Sequence, residues 1–298
     1  MEVIFMNEPL ISVIIPSYNR AFIVTDAINS VLQQTYRNIE LLFVDDCSTD
    51  NTEKIVKNIK DSRFHYIRLE KNSGACTARN RGIKEAKGDY IAFNDSDDQW
   101  HIDKLEKQLS FLNKNNADIV LCKMECKNNN GEFLHLFPNY TEDKSISYLS
   151  LLEYNCSSTQ TLLGKSECFK KILFDDKLPR LQDWDEVLRL AQTYRIFFQN
   201  TVLVNTFMQT ECISSHPEKG IAAMDMIFEK HKENILMNDN ILNSFFKKKA
   251  AFICKAGKNP VQEMELLCKK TPSASNLIRL IAAKTGIYKY LLKLKESF

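Results

Sequence analysis

The chain has 298 residues, of which 44% are hydrophobic and 26% are charged, and its formal net charge is +2. These values are ordinary for a soluble globular protein with a sizeable core. No stretch approaches the roughly 18–20 consecutive apolar residues of a membrane span, and residues 1–10 have no basic region ahead of an apolar one. We therefore expect the protein to stay in the cytoplasm.

The first 95 residues alternate between predicted strands and helices. The strands are predicted at Leu10–Pro16, Ile39–Val44, Phe64–Leu69 and Tyr90–Phe93, from short runs rich in apolar residues. The helices are predicted over 24–32 from apolar spacing, from a cap at Ser48 or Asp50 to about Lys60, and over Thr77–Ala86. This alternation indicates βαβ units and a parallel sheet, hence an α/β fold.

Three polar loops follow the first, second and fourth of these strands. They are Pro16–Asn19, Asp45–Asp46 and Asp95–Asp98. Because ligands of open α/β sheets bind beyond the carboxyl ends of the strands, we expect these loops to meet in one crevice. The loop after the first strand contains no Gly-x-Gly-x-x-Gly, which disfavours an ordinary dinucleotide site, and the chain has no Walker A motif.

Three carboxylates, Asp95, Asp97 and Asp98, lie within four positions at the end of the fourth strand. Clustered negative charge is costly unless a cation neutralises it, so we interpret the loop as a metal platform. The alternative is that these residues form a turn or cap the next helix through Asp98 or Asp103. An EF-hand loop is disfavoured, because Trp100 occupies the position that requires glycine.

The same loops offer groups for a nucleotide. The ring of Tyr18 presents a face to a base, Asp46 can accept a hydrogen bond from a base N–H, and a divalent ion on Asp95 and Asp97 can hold a pyrophosphate. The alternative for Tyr18 is a half-buried loop aromatic.

Seven motifs in order resemble glycosyltransferase family 2. They are Pro16-Ser-Tyr-Asn-Arg20, Gln33-Gln-Thr-Tyr36, Val44-Asp-Asp-Cys-Ser-Thr-Asp50, Asn72-Ser-Gly74, Ala78-Arg-Asn-Arg-Gly82, Gly88-Asp-Tyr-Ile91 and Asn94-Asp-Ser-Asp-Asp-Gln-Trp100. The resemblance is dense from about residue 10 to 115 and thinner from 150 to 216. Each motif is weak alone, but seven in this order are specific.

The resemblance implies a GT-A type nucleotide-diphospho-sugar fold, inversion at the anomeric carbon and a UDP-sugar donor. By similarity, the donor would be held by Pro16, Ser17, Tyr18, Asn19, Asp46, Arg79, Asp95 and Ser96. Asp95-Ser96-Asp97 matches the DxD motif, whose divalent ion, Mn²⁺ or Mg²⁺, would bind Asp97 and Asp95. The chain departs from the family pattern at Asn94 and Cys47, where many relatives have Leu and Gly.

Further along the chain, Asp183 precedes a helical pattern and is an adequate N-cap by its local sequence. Gln182-Asp183 also resembles the second acidic motif of the family, whose Asp is the catalytic base of inverting members. His216 lies where relatives often carry a loop over the donor phosphates, but a lone His is more often an ordinary surface residue. We also expect a strand at 118–123, a hairpin or loop at 127–141, a helix at 147–154 and a return to the sheet at 161–163.

The predicted function is transfer of a sugar from a UDP-sugar to a hydroxyl of a glycan acceptor, lipid-linked or protein-linked, in polysaccharide biosynthesis. The alternatives are a nucleotidyltransferase acting on sugar phosphates and a catalytically inactive GT-A binding module. Nucleic acid is not an expected partner.

The charge of the chain is uneven, since residues 1–219 carry −5 and residues 220–298 carry +7. We expect a GT-A catalytic domain over 1–219 and a basic α-helical appendage over 220–298. Its Lys247–Lys249 cluster, and a terminal helix with an apolar stripe, suggest either a peripheral contact with the inner face of the plasma membrane or a homo-oligomer interface. The predicted stripe consists of Leu280, Ala283, Ile287, Leu291 and Leu294, with Lys289 and Lys293 facing away.

The nine cysteines form no Cys-x-x-Cys pair, and no His lies at zinc-like spacing from a Cys pair. They are predicted to be reduced core thiols.

Overall fold

The computed structural model describes residues 8–128, 130–207 and 216–296, with side chains described to residue 292. The chain divides into two compact units. The first, the sheet unit, comprises Met1–Ser147, Cys156–Asp176 and Asp183–Gln209. The second, the helical unit, comprises Tyr148–Asn155, Lys177–Gln182 and Thr210–Phe298. Two internal segments thus belong to the helical unit, and the domain boundary at 219/220 stays a prediction.

One mixed sheet holds ten strands of the described residues, in the order β3-β2-β1-β4-β9-β6-β10-β5, with β7 paired to β6 and β8 to β10. The strands are β1 (Ile11–Ser17), β2 (Ile39–Asp45), β3 (Phe64–Arg68), β4 (Tyr90–Phe93), β5 (Gln99–Trp100), β6 (Ile119–Lys127), β7 (Phe133–Phe137), β8 (Lys144–Ile146), β9 (Leu163–Lys165) and β10 (Ile196–Phe207). The predicted α/β fold is confirmed.

The four strands predicted first form the parallel half of the sheet, with β2 and β4 on either side of β1 and β3 beyond β2. The pairs Ser17↔Asp45 and Ile14↔Phe93 align the carboxyl ends of β1, β2 and β4. Every residue of β1 and β2 is buried, as expected for strands covered on both faces. The three polar loops therefore emerge at one edge, as predicted.

The other half of the sheet contains mostly antiparallel pairs. The predicted hairpin after β6 is confirmed, since β7 pairs with β6, and the return to the sheet near 163 is β9, which pairs with β4 and β6. The twelve-residue strand β10 was not predicted. Polar residues Gln199 and Asn200 interrupt its apolar pattern at a register shift between Gln199 and Val202.

Seven helices of the described chain precede β10. They are α1 (Val24–Leu32), α2 (Thr52–Val56), α3 (Ala75–Glu85), α4 (Lys104–Lys114), α5 (Tyr148–Glu153), α6 (Ser166–Lys171) and α7 (Gln182–Leu190). The prediction that α2 extends to Lys60 is wrong. After Val56 the chain tightens into i→i+3 hydrogen bonds, from Asn58 N–H to the Ile55 carbonyl and from Ile59 N–H to the Val56 carbonyl.

The predicted caps also differ from the structure. Asn51 is the N-cap residue of α2, and its side chain makes no capping bond. Asp50 instead accepts from the N–H and hydroxyl of Thr52, while the Ser48 hydroxyl accepts from Asn19 N–H. Asp103 is at the N-cap of α4 but likewise makes no side-chain capping bond.

Five further helices lie in the helical unit. They are α8 (Pro217–Met237), α9 (Asp239–Lys255), α10 (Val261–Lys270), α11 (Ala274–Lys284) and α12 (Tyr288–Glu296). Asn238 caps α9 by accepting from the N–H groups of Asn240 and Ile241. Phe228, Phe245 and Phe246 pack against one another at ring-centroid distances of 5.4–5.9 Å. The helical region predicted from the sequence is present.

The prediction of a single terminal helix is wrong. Gly286, with φ of +79°, ends α11, and α12 starts two residues later. The predicted stripe does not form one face, because Ala283 is fully buried while Ile287 is half exposed. The side chain of Leu294 lies outside the described residues. Lys249 is also not a free surface cation, since it pairs with Asp225 and Glu263.

The eight described cysteines are free thiols. Five of them are buried, as predicted for core thiols, whereas Cys47, Cys254 and Cys268 are only partly buried. Cys212 lies outside the described residues. Within the described ranges, no helix is both long and apolar enough to cross a membrane.

Candidate active site

The loop Asp95–Asp98, called the acidic loop below, turns sharply after β4. Asn94 is fully buried, its N–H donates to the Ile14 carbonyl in β1, and its side-chain amide donates to the Asp98 carbonyl at 3.2 Å. The Asp98 N–H closes the turn on the Asp95 carbonyl at 3.2 Å. Asn94, one of the two residues at which the chain departs from the expected family pattern, thus holds the acidic loop against β1.

Arg79 of α3 projects to this loop. Its Nη2 donates to Asp95 Oδ1 at 2.6 Å, and its guanidinium lies 5.5 Å from the ring centroid of Phe174. Arg79 is only 7% exposed, and its buried Nε has no protein partner. The salt bridge fixes Asp95 and places a buried positive charge beside the loop.

Asp97 is held more loosely. Its only ion pair in the described chain is with Arg20, at 4.0 Å. Burial and the neighbouring charge of Asp95 raise the pKa of Asp97. Ser96, between the two acids, is buried. Among the described residues no three His, Cys, Asp or Glu side chains are placed to hold a metal by themselves.

Asp98 differs from its two neighbours, because it is buried and faces the end of β10. It accepts hydrogen bonds from the Thr206 hydroxyl and the Phe207 N–H, and burial raises its pKa well above the ordinary value. Asp98 therefore ties the acidic loop to β10, and is neither a helix cap nor a side chain open to an ion. The sequence alone did not separate this role from those of Asp95 and Asp97.

Asp46, at the end of β2, is also buried. Its two carboxylate oxygens accept from the N–H groups of Ser73 and Gly74, each at 2.7 Å. Gly74 has φ of +90° and directly precedes α3, the helix that carries Arg79. Asp46 thus orders the start of α3, and each of its oxygens keeps a second lone pair for a ligand.

The neighbouring Asp45, which the sequence placed in the same loop without a role of its own, is the last residue of β2. It accepts from the Tyr66 hydroxyl at 2.7 Å, from Arg68 Nη1 at 3.2 Å and from Ser48 N–H at 2.8 Å. These bonds hold the turn in which Cys47 adopts φ of +63°. The glycine that the family resemblance leads us to expect at this position would adopt this left-handed conformation without strain.

The loop after β1 is joined to the loop after β2. Asn19, at φ of +52°, donates its N–H to the Ser48 hydroxyl at 2.9 Å and accepts from Thr49 N–H at 2.8 Å. Pro16 and Ser17 are buried in β1. Tyr18 is 42% exposed, so its side chain is the accessible one in this loop.

Asp183 lies in the first turn of α7, after Leu181, whose φ of +61° is unusual for a bulky side chain. Burial raises the pKa of Asp183 to about 6, while the charge of Arg79 lowers this pKa and that of Asp95 raises it. Its Oδ1 accepts from Trp184 N–H at 2.9 Å. Arg79 therefore acts on both Asp95 and Asp183.

A cavity of about 320 Å³ opens beside Asp97. Its lining combines apolar and polar side chains: Phe22, Ile23, Asp26, Ala27, Asp97, Gln99 and Phe207. Phe22 is 75% exposed, more than any other large apolar side chain described in the sheet unit.

A family model described as Glycosyl transferase family 2 matches residues 12–173, more than half of the chain. The chain belongs to glycosyltransferase family 2. This family 2 glycosyltransferase is 32% identical over 261 residues to an uncharacterized glycosyltransferase of Rickettsia typhi, a match that covers 81% of each protein.

Two other relatives of this glycosyltransferase have more specific names. The putative teichuronic acid biosynthesis glycosyltransferase TuaG of Bacillus subtilis is 50% identical over 107 residues, which are 35% of this chain and 42% of TuaG. The UDP-Glc:alpha-D-GlcNAc-diphosphoundecaprenol beta-1,3-glucosyltransferase WfgD of Escherichia coli is 42% identical over 151 residues, which are 51% of this chain and 58% of WfgD. The matches thus span less than two thirds of either relative.

The fold of this family 2 enzyme is also that of a solved structure. The crystal structure of S. aureus TarS 1–349 in complex with UDP-GlcNAc superposes with a TM-score of 0.69 at 22% identity, covering 96% of this chain and 91% of that one. The likeness confirms the GT-A fold.

Proposed function

We propose that the protein transfers a sugar from a UDP-sugar to a hydroxyl of a growing glycan, lipid-linked or protein-linked, with inversion at the anomeric carbon. The name of WfgD gives UDP-Glc as its donor and a diphosphoundecaprenol-linked sugar as its acceptor, and TarS was solved with UDP-GlcNAc. Both are consistent with a UDP-sugar donor here. The name of WfgD also supports a lipid-linked acceptor.

The observation that carries the proposal is the arrangement of Arg79 with Asp95 and Asp183. A buried guanidinium bonded to Asp95 also stabilises the charged form of Asp183. With a pKa of about 6, Asp183 is largely ionised at neutral pH yet more basic than an ordinary carboxylate. This is the pKa that general-base catalysis near pH 7 favours. We assign Asp183 the removal of the proton from the acceptor hydroxyl as the new glycosidic bond forms.

A divalent ion, Mn²⁺ or Mg²⁺, fits the acidic loop. One Asp95 oxygen is taken by Arg79, whereas Asp97 has, among the described residues, a single and long ion pair with Arg20. Asp97 would therefore be the main protein ligand and Asp95 the second. Hard divalent ions are commonly held by one or two carboxylates together with substrate phosphates. When bound, the ion would neutralise charge on the departing UDP.

The nucleoside would lie over the ends of β1 and β2. Tyr18 offers an accessible ring for a base, and Asp46 offers the remaining lone pairs of its buried carboxylate to a base N–H. Pro16, Ser17 and Asn19 would shape this part of the site, and Arg79 and Ser96 would lie towards the diphosphate. The bonds of Asn19 to the neighbouring loop favour a shaping role over direct ligand binding.

Product analysis and UDP binding test the proposal. Incubation with UDP-sugars and Mn²⁺ should release UDP; release of pyrophosphate would indicate a nucleotidyltransferase. UDP binding should tighten with Mn²⁺ in the wild type but not in Asp97→Asn. Asp103→Asn, which removes a partly exposed acid paired with Lys107, is the control and should retain the Mn²⁺ effect. If Asp97→Asn responds to Mn²⁺ as the wild type does, the assignment of the ion is wrong.

A further inference from the structure

Exposed apolar side chains are concentrated near the end of the chain. Leu277, Ile278 and Ile281 of α11, Ile287 after it and Tyr290 of α12 are each 50–59% exposed. We refer to these five residues as the α11 patch. Isolated exposed apolar residues are ordinary, but five within fourteen positions are a surface that needs an explanation.

Three residues of the patch form one stripe, because Leu277 and Ile278 precede Ile281 by four and three positions on the helix. The buried residues of α11 are different ones, Asn276, Ala282 and Ala283. The apolar stripe is therefore not the packing face of α11 but its exposed face.

The break after α11 brings Ile287 to the same stripe. Gly286 N–H donates to the Ala283 carbonyl at 3.3 Å, and Ile287 N–H donates to the Ala282 carbonyl at 2.9 Å. With Gly286 at φ of +79°, this is a Schellman motif, in which the residue after the glycine lies against the last turn of the helix. Ile287 thus extends the exposed stripe of Ile281, and Tyr290 follows in the first turn of α12.

The sequence that contains the patch is strongly basic. Residues 266–295 contain seven Lys and Arg and no Asp or Glu. Within the described side chains, Lys284 is paired with Glu265 of α10 at 2.9 Å, whereas Lys289 lies over the ring of Tyr290 at 5.1 Å. An aliphatic face bordered by lysines and a tyrosine has the composition of a helix that lies in a lipid–water interface.

We propose that the α11 patch docks this protein on an anionic lipid surface. The apolar side chains would enter the boundary between headgroups and acyl chains, Tyr290 would lie at headgroup depth, and the lysines would contact lipid phosphates. The basic charge complements anionic lipid, which is why we favour a membrane over a second, equally basic copy of the chain. The proposal does not depend on the donor, the metal or the base.

Co-sedimentation of the full chain with vesicles tests the proposal. Phosphatidylcholine vesicles containing about a quarter phosphatidylglycerol should bind the protein at about 50 mM NaCl, and binding should fall at about 500 mM NaCl because salt screens the attraction. Pure phosphatidylcholine vesicles should bind it at least about tenfold more weakly.

Matched variants localise the contact. Ile278→Ser with Ile281→Ser should weaken vesicle binding at least about tenfold without changing the thermal unfolding midpoint, since both side chains are already exposed. Phe133→Ser removes an equally exposed apolar side chain from the sheet unit and should have no effect on binding. Lys289→Gln should weaken binding about fivefold.

Three results would overturn the proposal. The first is no sedimentation of the wild type with anionic vesicles at low salt. The second is unchanged vesicle binding by the double Ile variant. The third is a stable oligomer in light scattering that the double Ile variant dissociates in the absence of lipid, which would assign the α11 patch to contact between copies of the chain.

Discussion

The Nη2 atom of Arg79 lies 2.6 Å from Asp95 Oδ1, and the same guanidinium lowers the pKa of Asp183. One buried cation therefore links Asp95, which follows β4, to Asp183, which lies in the first turn of α7. The two acids are 88 positions apart in the sequence, and neither motif alone predicts this link. The sequence placed Arg79 only among the residues that would hold the donor.

Replacement of Arg79 should change the pH dependence of the reaction as well as its rate. Without the guanidinium, the pKa of Asp183 should rise above about 6, so the acid limb of the kcat/KM profile should move to higher pH. Loss of a charge-assisted hydrogen bond of about 1.5–3 kcal/mol should lower kcat/KM at pH 7 by roughly 10- to 100-fold in Arg79→Met.

Two further variants make this experiment specific. Arg79→Lys keeps the charge but not the planar fork, so it should shift the acid limb less than Arg79→Met does. Arg81→Met removes an exposed arginine of the same helix, paired with Glu85, and should leave the profile unchanged. A profile that is the same in Arg79→Met and the wild type would mean that Arg79 does not act on the base.

Asp183→Asn should lose activity and gain stability. As a general base, Asp183 should be worth about 10²–10⁴-fold in transfer, with little change in UDP affinity. Its pKa in the folded protein, about 6, is above the ordinary value of 3.8, so its contribution to stability is full below pH 3.8 and is lost as pH rises through about 6. The neutral amide avoids that loss.

The free energy of unfolding of Asp183→Asn should therefore exceed that of the wild type at pH 8, by an amount on the order of 1–3 kcal/mol, and the difference should shrink towards pH 4. Urea unfolding at several pH values measures it. Equal stability of the two proteins at pH 8 would show that Asp183 is not desolvated. Near-normal turnover of Asp183→Asn would show that Asp183 has a structural role at the start of α7 and is not the general base.

Asp46→Ala should weaken both the fold and the nucleotide site. It leaves the N–H groups of Ser73 and Gly74 without their acceptor, which should cost about 1–3 kcal/mol of stability and also reduce UDP affinity. Asp61→Ala is the control, because Asp61 accepts from the backbone and side chain of Arg63 before β3, at the opposite edge of the parallel strands. Asp61→Ala should reduce the free energy of unfolding but bind UDP normally. If both variants lose UDP binding, the weaker binding of Asp46→Ala reflects its lower stability alone.

The sequence was sufficient where local pattern determines structure. Apolar runs ended by polar loops located β1 to β4, and the alternation with helices placed Asp46 and Asp95 at one edge of the sheet. The sequence was insufficient where contacts between distant residues determine the role of a side chain. Asp98 is adjacent to Asp97 and chemically identical to it, yet hydrogen bonds from Thr206 and Phe207 give it a structural role.

The same limit applies to the terminal helices. A helical periodicity drawn through Gly286 predicted one stripe, but the left-handed glycine breaks the helix and places different residues in solvent. Ala283, predicted to lie on the stripe, is buried, and Leu277, Ile278 and Ile281 are exposed. Which face of an amphipathic helix packs is determined by its neighbours rather than by its own composition.

Gly82 connects packing to the site, because it lies one turn after Arg79 on α3. A Cβ atom at Gly82 would meet Ile14 Cγ2 of β1 at 2.5 Å, so Gly82→Ala should push α3 away from the sheet at a cost of about 1–3 kcal/mol. The same shift should lengthen the contact between Arg79 and Asp95 and lower kcat/KM, since small displacements of positioned groups reduce catalysis.

Gly88→Ala separates these two effects. Its Cβ would meet the Ser12 backbone nitrogen at 2.6 Å, where backbone cannot yield as a side chain does, so it should destabilise the protein at least as much as Gly82→Ala. Gly88 precedes β4, at the edge opposite the candidate site, and the folded fraction of this variant should retain its kcat/KM. Thermal unfolding and single-turnover transfer below the unfolding transition measure the two quantities. If both variants lose kcat/KM equally, the spacing of α3 from β1 is not what positions Arg79.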